Sequence, residues 1–292
     1  MGAIFRREFK SYFVSPVGYI FLAAFYAYAG IMFSAYSLSI GQTKLDNVFG
    51  SLLLILLVII PILTMRTIAE EKRSRTDQVL LTSPVSLWGI VGGKFLAAFL
   101  IYLIGVAITG IFAVVVAVFG TPDWNVIVGN IVALALLGGA YIAIGIFCSS
   151  LTENQVVAAV TSFFALLAFS FLSTLGSAIP FQSIASQLSD MSVSSRVFII
   201  AGISLVIGAL FGLGFKKILA GIIAFVVSGG LTTLAVWKCD KIPTLFSKIS
   251  LSERYYSFTT GIFDFSNVIF FLSVIVAFLF FTVRILEKRR WS

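Results

Sequence analysis

Long apolar runs, interrupted by short charged or turn-forming stretches, set the pattern of this chain. Eight segments approach the length of a membrane span without an internal charge: approximately Val17–Ser39, Val48–Met65, Phe95–Phe119, Val126–Cys148, Val156–Ile179, Val197–Phe215, Ile218–Trp237 and Asn267–Val283. A helix needs about 20 mostly apolar residues to cross the hydrocarbon core. The runs are continuous rather than alternating, so they predict helices and not strands of a barrel. The expected fold class is an all-α polytopic membrane protein with about eight transmembrane helices. The first run is longer than a signal-peptide core, and Tyr28, Met32 and Tyr36 stand where small cleavage-site residues would be needed, so the N-terminus is expected to be retained.

Before the first span, Phe5, Phe9, Tyr12 and Phe13 fall on one helical face, while Arg6, Arg7 and Lys10 lie largely elsewhere on the wheel. This pattern predicts an amphipathic helix lying in the membrane interface over residues 1–16, ended by Ser15-Pro16. A plain positive anchor is the bland alternative, and the two are compatible.

Composition agrees with the pattern. The chain has 292 residues, 60% hydrophobic and only 11% charged, with mean hydropathy +1.10. A soluble domain carries roughly 25% charged residues. Net charge is +8, and its placement sets the topology. With both termini in the cytoplasm and eight crossings, fourteen Lys and Arg fall inside against six outside, which follows the positive-inside rule. The basic balance suits anionic membrane lipids, and no nucleic-acid module is evident. The expected location is the cell (plasma or inner) membrane. Two cysteines, Cys148 and Cys239, fall on opposite sides in this topology and cannot pair within one chain.

One island breaks the apolar pattern. Arg66, Glu70, Glu71, Lys72, Arg73, Arg75 and Asp77 crowd into a single short loop, followed by Gln78-Val-Leu-Leu-Thr-Ser-Pro84-Val-Ser86. Anchoring at a membrane needs only basic residues, so both signs together point to a docking surface for a soluble partner; an ordinary solvated loop is the alternative. Glu71–Arg75 and Arg73–Asp77 stand at i, i+4 spacing, each worth a few tenths of a kcal/mol, too little to explain the cluster as a stability device. Ser83-Pro84 reads as a helix start, with Val85, Leu87 and Trp88 forming a short apolar helix and Gly89 breaking toward the third span. The coupling loop is thereby expected at residues 66–90. Lys94 is expected as an interfacial anchor at the start of the third span.

Other segments are less specific. Pro180 to Arg196 is too polar to span. Ser204, Gly208 and Gly212, like Ala220, Ala224 and Ser228, repeat every four residues and suit close helix packing in a hairpin at residues 197–237. Residues 238–266 form the longest extracytoplasmic segment. Its Arg254, Tyr255, Phe258 and Asp264 mix aromatic and charged groups, as interfacial or re-entrant helices would.

Catalytic constellations are missing from the sequence. There is no histidine, no Ser/His/Asp set and no GxSxG motif. Gly89-Ile-Val-Gly-Gly-Lys94-Phe95 has the wrong glycine spacing for a phosphate-binding loop, and no Ser or Thr follows the lysine. No charge stands at the centre of a span, which argues against a proton relay or cation path. The chain is expected to be no enzyme, to bind no cofactor or metal directly, and to hydrolyse no ATP itself.

Three stretches carry a resemblance. Phe9-Lys-Ser-Tyr-Phe-Val-Ser-Pro16-Val-Gly-Tyr-Ile-Phe21, Ala69-Glu-Glu-Lys-Arg-Ser-Arg-Thr-Asp-Gln-Val-Leu-Leu-Thr-Ser-Pro-Val-Ser86 and the tail from Phe271-Leu-Ser to Arg284-Ile-Leu-Glu-Lys-Arg-Arg-Trp291 resemble the permease subunits of ABC-2 type exporters, in the gliding-motility (GldF-like) branch. The resemblance covers the first five spans and the last. It implies a single permease domain over 1–292, a partnership with a cytoplasmic ATP-binding subunit that holds ATP and Mg, and a second permease copy or homologous permease. It makes 1–16 the connecting helix, with Phe5, Arg6, Arg7, Phe9 and Lys10 at the interface. It assigns ATPase coupling to Glu70, Glu71, Arg73, Thr76, Asp77, Leu80, Leu81, Ser83, Pro84 and Val85.

Two departures stand out. Many relatives have Gly where this chain has Arg75, and residues 197–237 look like an inserted transmembrane hairpin. The implied function is a permease coupling ATP hydrolysis elsewhere to export of a lipid-like molecule or hydrophobic peptide. The alternative is a non-transporting membrane component that uses the ATPase mechanically for motility or signalling, with residues 238–266 binding an extracytoplasmic accessory protein. An intramembrane enzyme is a third and weaker reading.

Overall fold

The computed structural model describes residues 2–39, 41, 45–76, 86–174, 247–259, 261 and 264–291. The chain divides into two compact units, Met1–Ser170 with Leu251–Ser292, and Phe171–Ser250. Of the second unit only 171–174 and 247–250 are described, with 172–174 and 247–249 helical. The expected hairpin 197–237, the polar stretch Pro180–Arg196 and Cys239 lie outside the described residues.

The first unit is helical, with no strand among the described residues. Its opening helix, α1, covers Gly2–Val14. Phe5 stacks on Phe9, and Phe9 meets Phe13 edge to face, with ring centroids 6.0 and 5.1 Å apart. Tyr12 instead turns into the core and donates its hydroxyl to Leu63 O at 3.3 Å. Ser15 is extended (φ −87°, ψ 154°), as the following proline demands, and Pro16 opens α2, Pro16–Phe33. The corner is tight: a Cβ on Gly18 would lie 2.6 Å from the Tyr12 carbonyl oxygen. α2 continues through a π-helical turn, Ser34–Leu38.

α3 covers Asp46–Thr64 and is followed, after the turn at 65–68, by the short α4, Ala69–Arg73. α5, Leu87–Phe119, runs unbroken for 33 residues, about 50 Å. This corrects the expected break at Gly89. The Ser86 side chain accepts the Gly89 N–H at 3.2 Å and caps the helix, and Gly89 is buried inside it. A helical glycine costs only about 1 kcal/mol, which a cap and close packing offset. Ser83 and Pro84, the expected helix start, are outside the described residues.

α6 is Trp124–Leu151, α7 Gln155–Ser170, α8 Leu251–Thr259 and α9 Phe265–Trp291. α6 is the centre of the unit and packs against α3, α5, α7, α8 and α9. Leu137, Ala140, Tyr141, Ile142, Ala143, Ile144 and Ile146 are all fully buried, as in a helix enclosed on every side. Glycines permit the closest approaches. A Cβ on Gly145 would strike the Thr64 side chain of α3, and one on Gly138 the Tyr102 ring of α5. α9 is the opposite case, with Ile269, Leu272, Val276 and Phe281 exposed apolar groups that suit lipid.

Among the described residues five helices are long and apolar enough to cross a membrane: Pro16–Leu38, Asp46–Arg73, Leu87–Phe119, Trp124–Leu151 and Phe265–Arg290. They correspond to the expected spans one to four and eight. The fifth, Val156–Ile179, is seen as the shorter apolar α7; its last residues, like spans six and seven, lie outside the described residues. The molecule is therefore a multi-pass helical membrane protein.

Candidate coupling site

The island at Arg66 leaves α3 at one end of the bundle, and its first half is tied down on two sides. The first tie runs to α1 and α5. Lys94 is only 2% exposed and lies within α5. Its ammonium is 2.8 Å from Glu71 Oε1 and 3.2 Å from Glu8 Oε1, and donates to Thr67 O at 2.7 Å. All three donors of the ammonium are thus used, which allows the charge to stay buried. Arg7 Nη2 reaches the same two oxygens, Glu8 Oε1 at 2.7 Å and Glu71 Oε1 at 3.0 Å. The four groups close a ring of alternating charge with no net charge. The Glu8 hydrogen bond, helped by the charges of Glu8 and Glu71 and opposed by burial, raises the Arg7 guanidinium above its ordinary value.

Lys94, expected as an interfacial anchor, is instead buried among protein groups. The helix begins at Leu87, which carries Lys94 inward to face protein carboxylates. The expected Glu71–Arg75 pairing gives way for the same reason: Glu71 is engaged by Lys94 and Arg7, and α4 ends before a further turn can form.

The second tie runs to the C-terminal end of α6. Ser149 Oγ accepts the backbone N–H groups of Ile68 at 3.2 Å and Ala69 at 3.1 Å, and donates to Met65 O at 3.0 Å. It supplies in trans the cap that α4 lacks in its own sequence, since Ile68 makes no side-chain cap bond. Lys72, also buried, donates to Ser150 O. Arg66 grips Glu70 through two parallel bonds at 2.7 and 2.9 Å.

The second half of the island projects. Arg73, Ser74, Arg75 and Thr76 are exposed. α4 closes with Arg75 in the left-handed region at φ 56°. Thr76 N–H bonds Glu71 O at 3.0 Å and Arg75 N–H bonds Lys72 O at 3.2 Å, the paired pattern of a helix stop that glycine usually makes. Arg75 thus occupies a backbone position that glycine would fill without strain. The expected contacts Asp77, Leu80, Leu81, Ser83, Pro84 and Val85 lie outside the described residues.

The remaining expected residues divide by place. On α1, Arg6 and Lys10 are exposed and Phe5 and Phe9 half-buried. At the end of α3 away from the island, α8 packs on α3 and α6. There Tyr255 and Phe258 are buried; the Tyr255 hydroxyl donates to Phe49 O at 3.1 Å, so both serve packing. Arg254 donates to Asn267 at 2.7 Å and lies 4.3 Å over the Phe270 ring, and Asp264 accepts the Ser266 N–H at the start of α9. Among the described residues no group of three or more His, Cys, Asp or Glu side chains is placed to hold a metal.

Glu8, Lys94, Ser149 and Ser150 are the site residues that sequence reasoning missed. A signal existed for two of them. Lys94 is an isolated charge in an apolar run, and Glu8 is an acid among Arg6, Arg7 and Lys10; each calls for a partner.

The described residues form a multi-pass helical bundle in which the charged loop after α3 is fastened to α1, α5 and α6. The chain belongs to the ABC-2 family of transporter proteins, whose family model matches residues 29–238, more than half of its length. It is accordingly a permease-type membrane component of an ATP-binding-cassette transporter, a family that works with ATP-binding subunits. No curated protein and no solved structure matches it.

Proposed function

We propose that this chain is the permease of an exporter powered by a separate cytoplasmic ATP-binding subunit, and that the coupling loop at residues 66–90 is where the two engage. The observation that carries the reading is the ring formed by Arg7, Glu8, Glu71 and Lys94. Force applied to the exposed Arg73–Thr76 passes through one turn of α4 to Glu71, and from there to α1 and α5 together. Ser149 carries the same displacement to α6. A loop that only solvated the membrane surface would have no need of such ties. ATP binding in the partner would move the loop, and the permease would respond only as far as its contacts differ between the two states.

In this reading both termini are cytoplasmic in the cell membrane, as the distribution of basic residues favours. The charge-free spans favour a lipid-like or hydrophobic peptide substrate, and a second permease copy completes the path. The opening, loop and tail segments support a reading of the chain as one of the gliding-motility permeases.

Docking and transmission can be separated by experiment. The full chain is co-expressed with the ATP-binding subunit encoded beside it, and pull-down and ATP turnover are measured. Arg73→Glu with Arg75→Glu, both exposed, should abolish co-purification. Lys94→Met with Glu71→Gln should leave co-purification intact and remove the dependence of ATP turnover on the permease. Undiminished binding and turnover in both variants would rule out the proposed coupling.

A further inference from the structure

The geometry points to a phospholipid site on the junction of α1 and α5, one that selects an anionic headgroup. Two adjoining concavities meet there, sharing Gly2 and Phe5. The first is an almost wholly apolar groove of about 510 Å³, walled by Phe5 and by Leu96, Phe99, Leu100 and Leu103 of α5. That volume falls in the range of roughly 300–1,000 Å³ typical of ligand sites. The four α5 residues follow i, i+3, i+4, i+7 spacing, so they form one stripe about 10 Å long. Leu96 and Leu100 remain exposed on a helix that crosses the membrane, so the groove opens onto hydrocarbon. An acyl chain is the occupant that such an opening admits.

The second concavity, of about 900 Å³, runs along α1 and is lined by Arg6, Arg7, Phe9 and Lys10. Here charge decides the headgroup. In the ring described above, Arg7 and Lys94 are balanced by Glu8 and Glu71. Arg6 and Lys10 have no such counterpart among the described residues: both are exposed, and neither makes an ion pair there. They stand one turn apart, on the rim of a cleft that adjoins an apolar slot. A phosphodiester with net negative charge satisfies the pair, whereas a zwitterionic headgroup brings its own cation to the same place. One acyl chain and two basic groups supply the two signals that stable interfacial binding requires.

The test does not involve the ATP-binding subunit and stands apart from the coupling proposal. The full chain, purified in detergent, is titrated with phosphatidylglycerol or phosphatidylcholine, and bound lipid is counted by native mass spectrometry. Wild type should retain phosphatidylglycerol in preference. Arg6→Gln with Lys10→Gln should weaken that preference by roughly thirtyfold, since each basic group near a membrane surface contributes about a factor of five. Leu100→Trp should fill the groove and displace the lipid with Arg6 and Lys10 still in place. An unchanged thermal midpoint in both variants establishes that they fold.

Equal retention of the two lipids by wild type, or unaltered retention by the Gln variant, would overturn the proposal. So would unaltered binding after Leu100→Trp, or full competition by glycerol phosphate alone, because the acyl groove would then have no part. Disulfide linkage between two copies through Leu100→Cys, in a chain with serine at Cys148 and Cys239, would make this face a copy-to-copy contact and overturn it equally.

Discussion

Lys94 and Glu71 meet at 2.8 Å, with the lysine side chain only 1% exposed and the glutamate 18%. The pair joins a transmembrane helix to the short helix that leads into the exposed loop. Removing one partner of a buried pair leaves the other charge uncompensated, which costs about 3–5 kcal/mol. Lys94→Met should therefore lower the thermal midpoint of the detergent-solubilised chain markedly. Adding Glu8→Gln and Glu71→Gln should recover most of the loss, because no unpaired carboxylate then remains. A triple variant as unstable as the single one would show that Lys94 acts through its packing instead.

Ser149 offers a cleaner probe of how α6 holds the loop. Ser149→Ala strands two N–H groups and one carbonyl, those of Ile68, Ala69 and Met65, each of which loses a bond. Leaving buried polar groups unpaired costs about 1–3 kcal/mol. Hydrogen exchange at residues 68 and 69 should accelerate while exchange in the middle of α6 stays slow. Equal exchange rates in variant and wild type at those two amides would refute the trans cap.

Arg75 is the one non-glycine residue with positive φ among those described. The left-handed region costs an ordinary residue roughly 1–2 kcal/mol, and glycine pays nothing for it. Arg75→Gly should stabilise the end of α4 and slow exchange of the Thr76 amide, which bonds Glu71 O. Arg75→Val should do the reverse. Faster exchange at Thr76 in the Gly variant would mean that the arginine side chain, and not its backbone, holds the turn.

Gly145 sets the spacing of α3 and α6. Gly145→Ala places a methyl group against Thr64 and should destabilise by about 1–3 kcal/mol, the usual cost of overpacking. Thr64→Ala in the same chain removes the nearest atom, the hydroxyl oxygen, and should relieve part of the loss. Strict additivity of the two changes in thermal denaturation would argue that the helices do not meet there.

Asn130 is fully buried in α6, and neither of its side-chain polar atoms has a hydrogen-bond partner. An unsatisfied buried amide costs about 1–3 kcal/mol. Asn130→Leu, which keeps the branched four-atom skeleton, should match or exceed wild type in thermal stability. A fall in the midpoint would reveal a polar role for this side chain.

Particular residues show how far the sequence could be read. The break at Ser15-Pro16 was legible because proline restricts its predecessor wherever it occurs. The apolar runs were legible because hydrocarbon demands internal hydrogen bonding along the whole run. The extent of α5 was not: Gly89 carries a weak local penalty, and the serine that caps the helix, Ser86, is one of several nearby candidates.

The sequence by itself therefore determined the solvent this protein folds in, the helical character of its spans and the place of its charged loop. Each follows from local composition acting over consecutive residues. Only the tertiary structure decided what that loop holds on to. Glu8, Glu71 and Lys94 come from three separate helices, and Ser149 from a fourth. A buried ion pair depends on distance and desolvation in space, and neither is encoded in the spacing of residues along the chain.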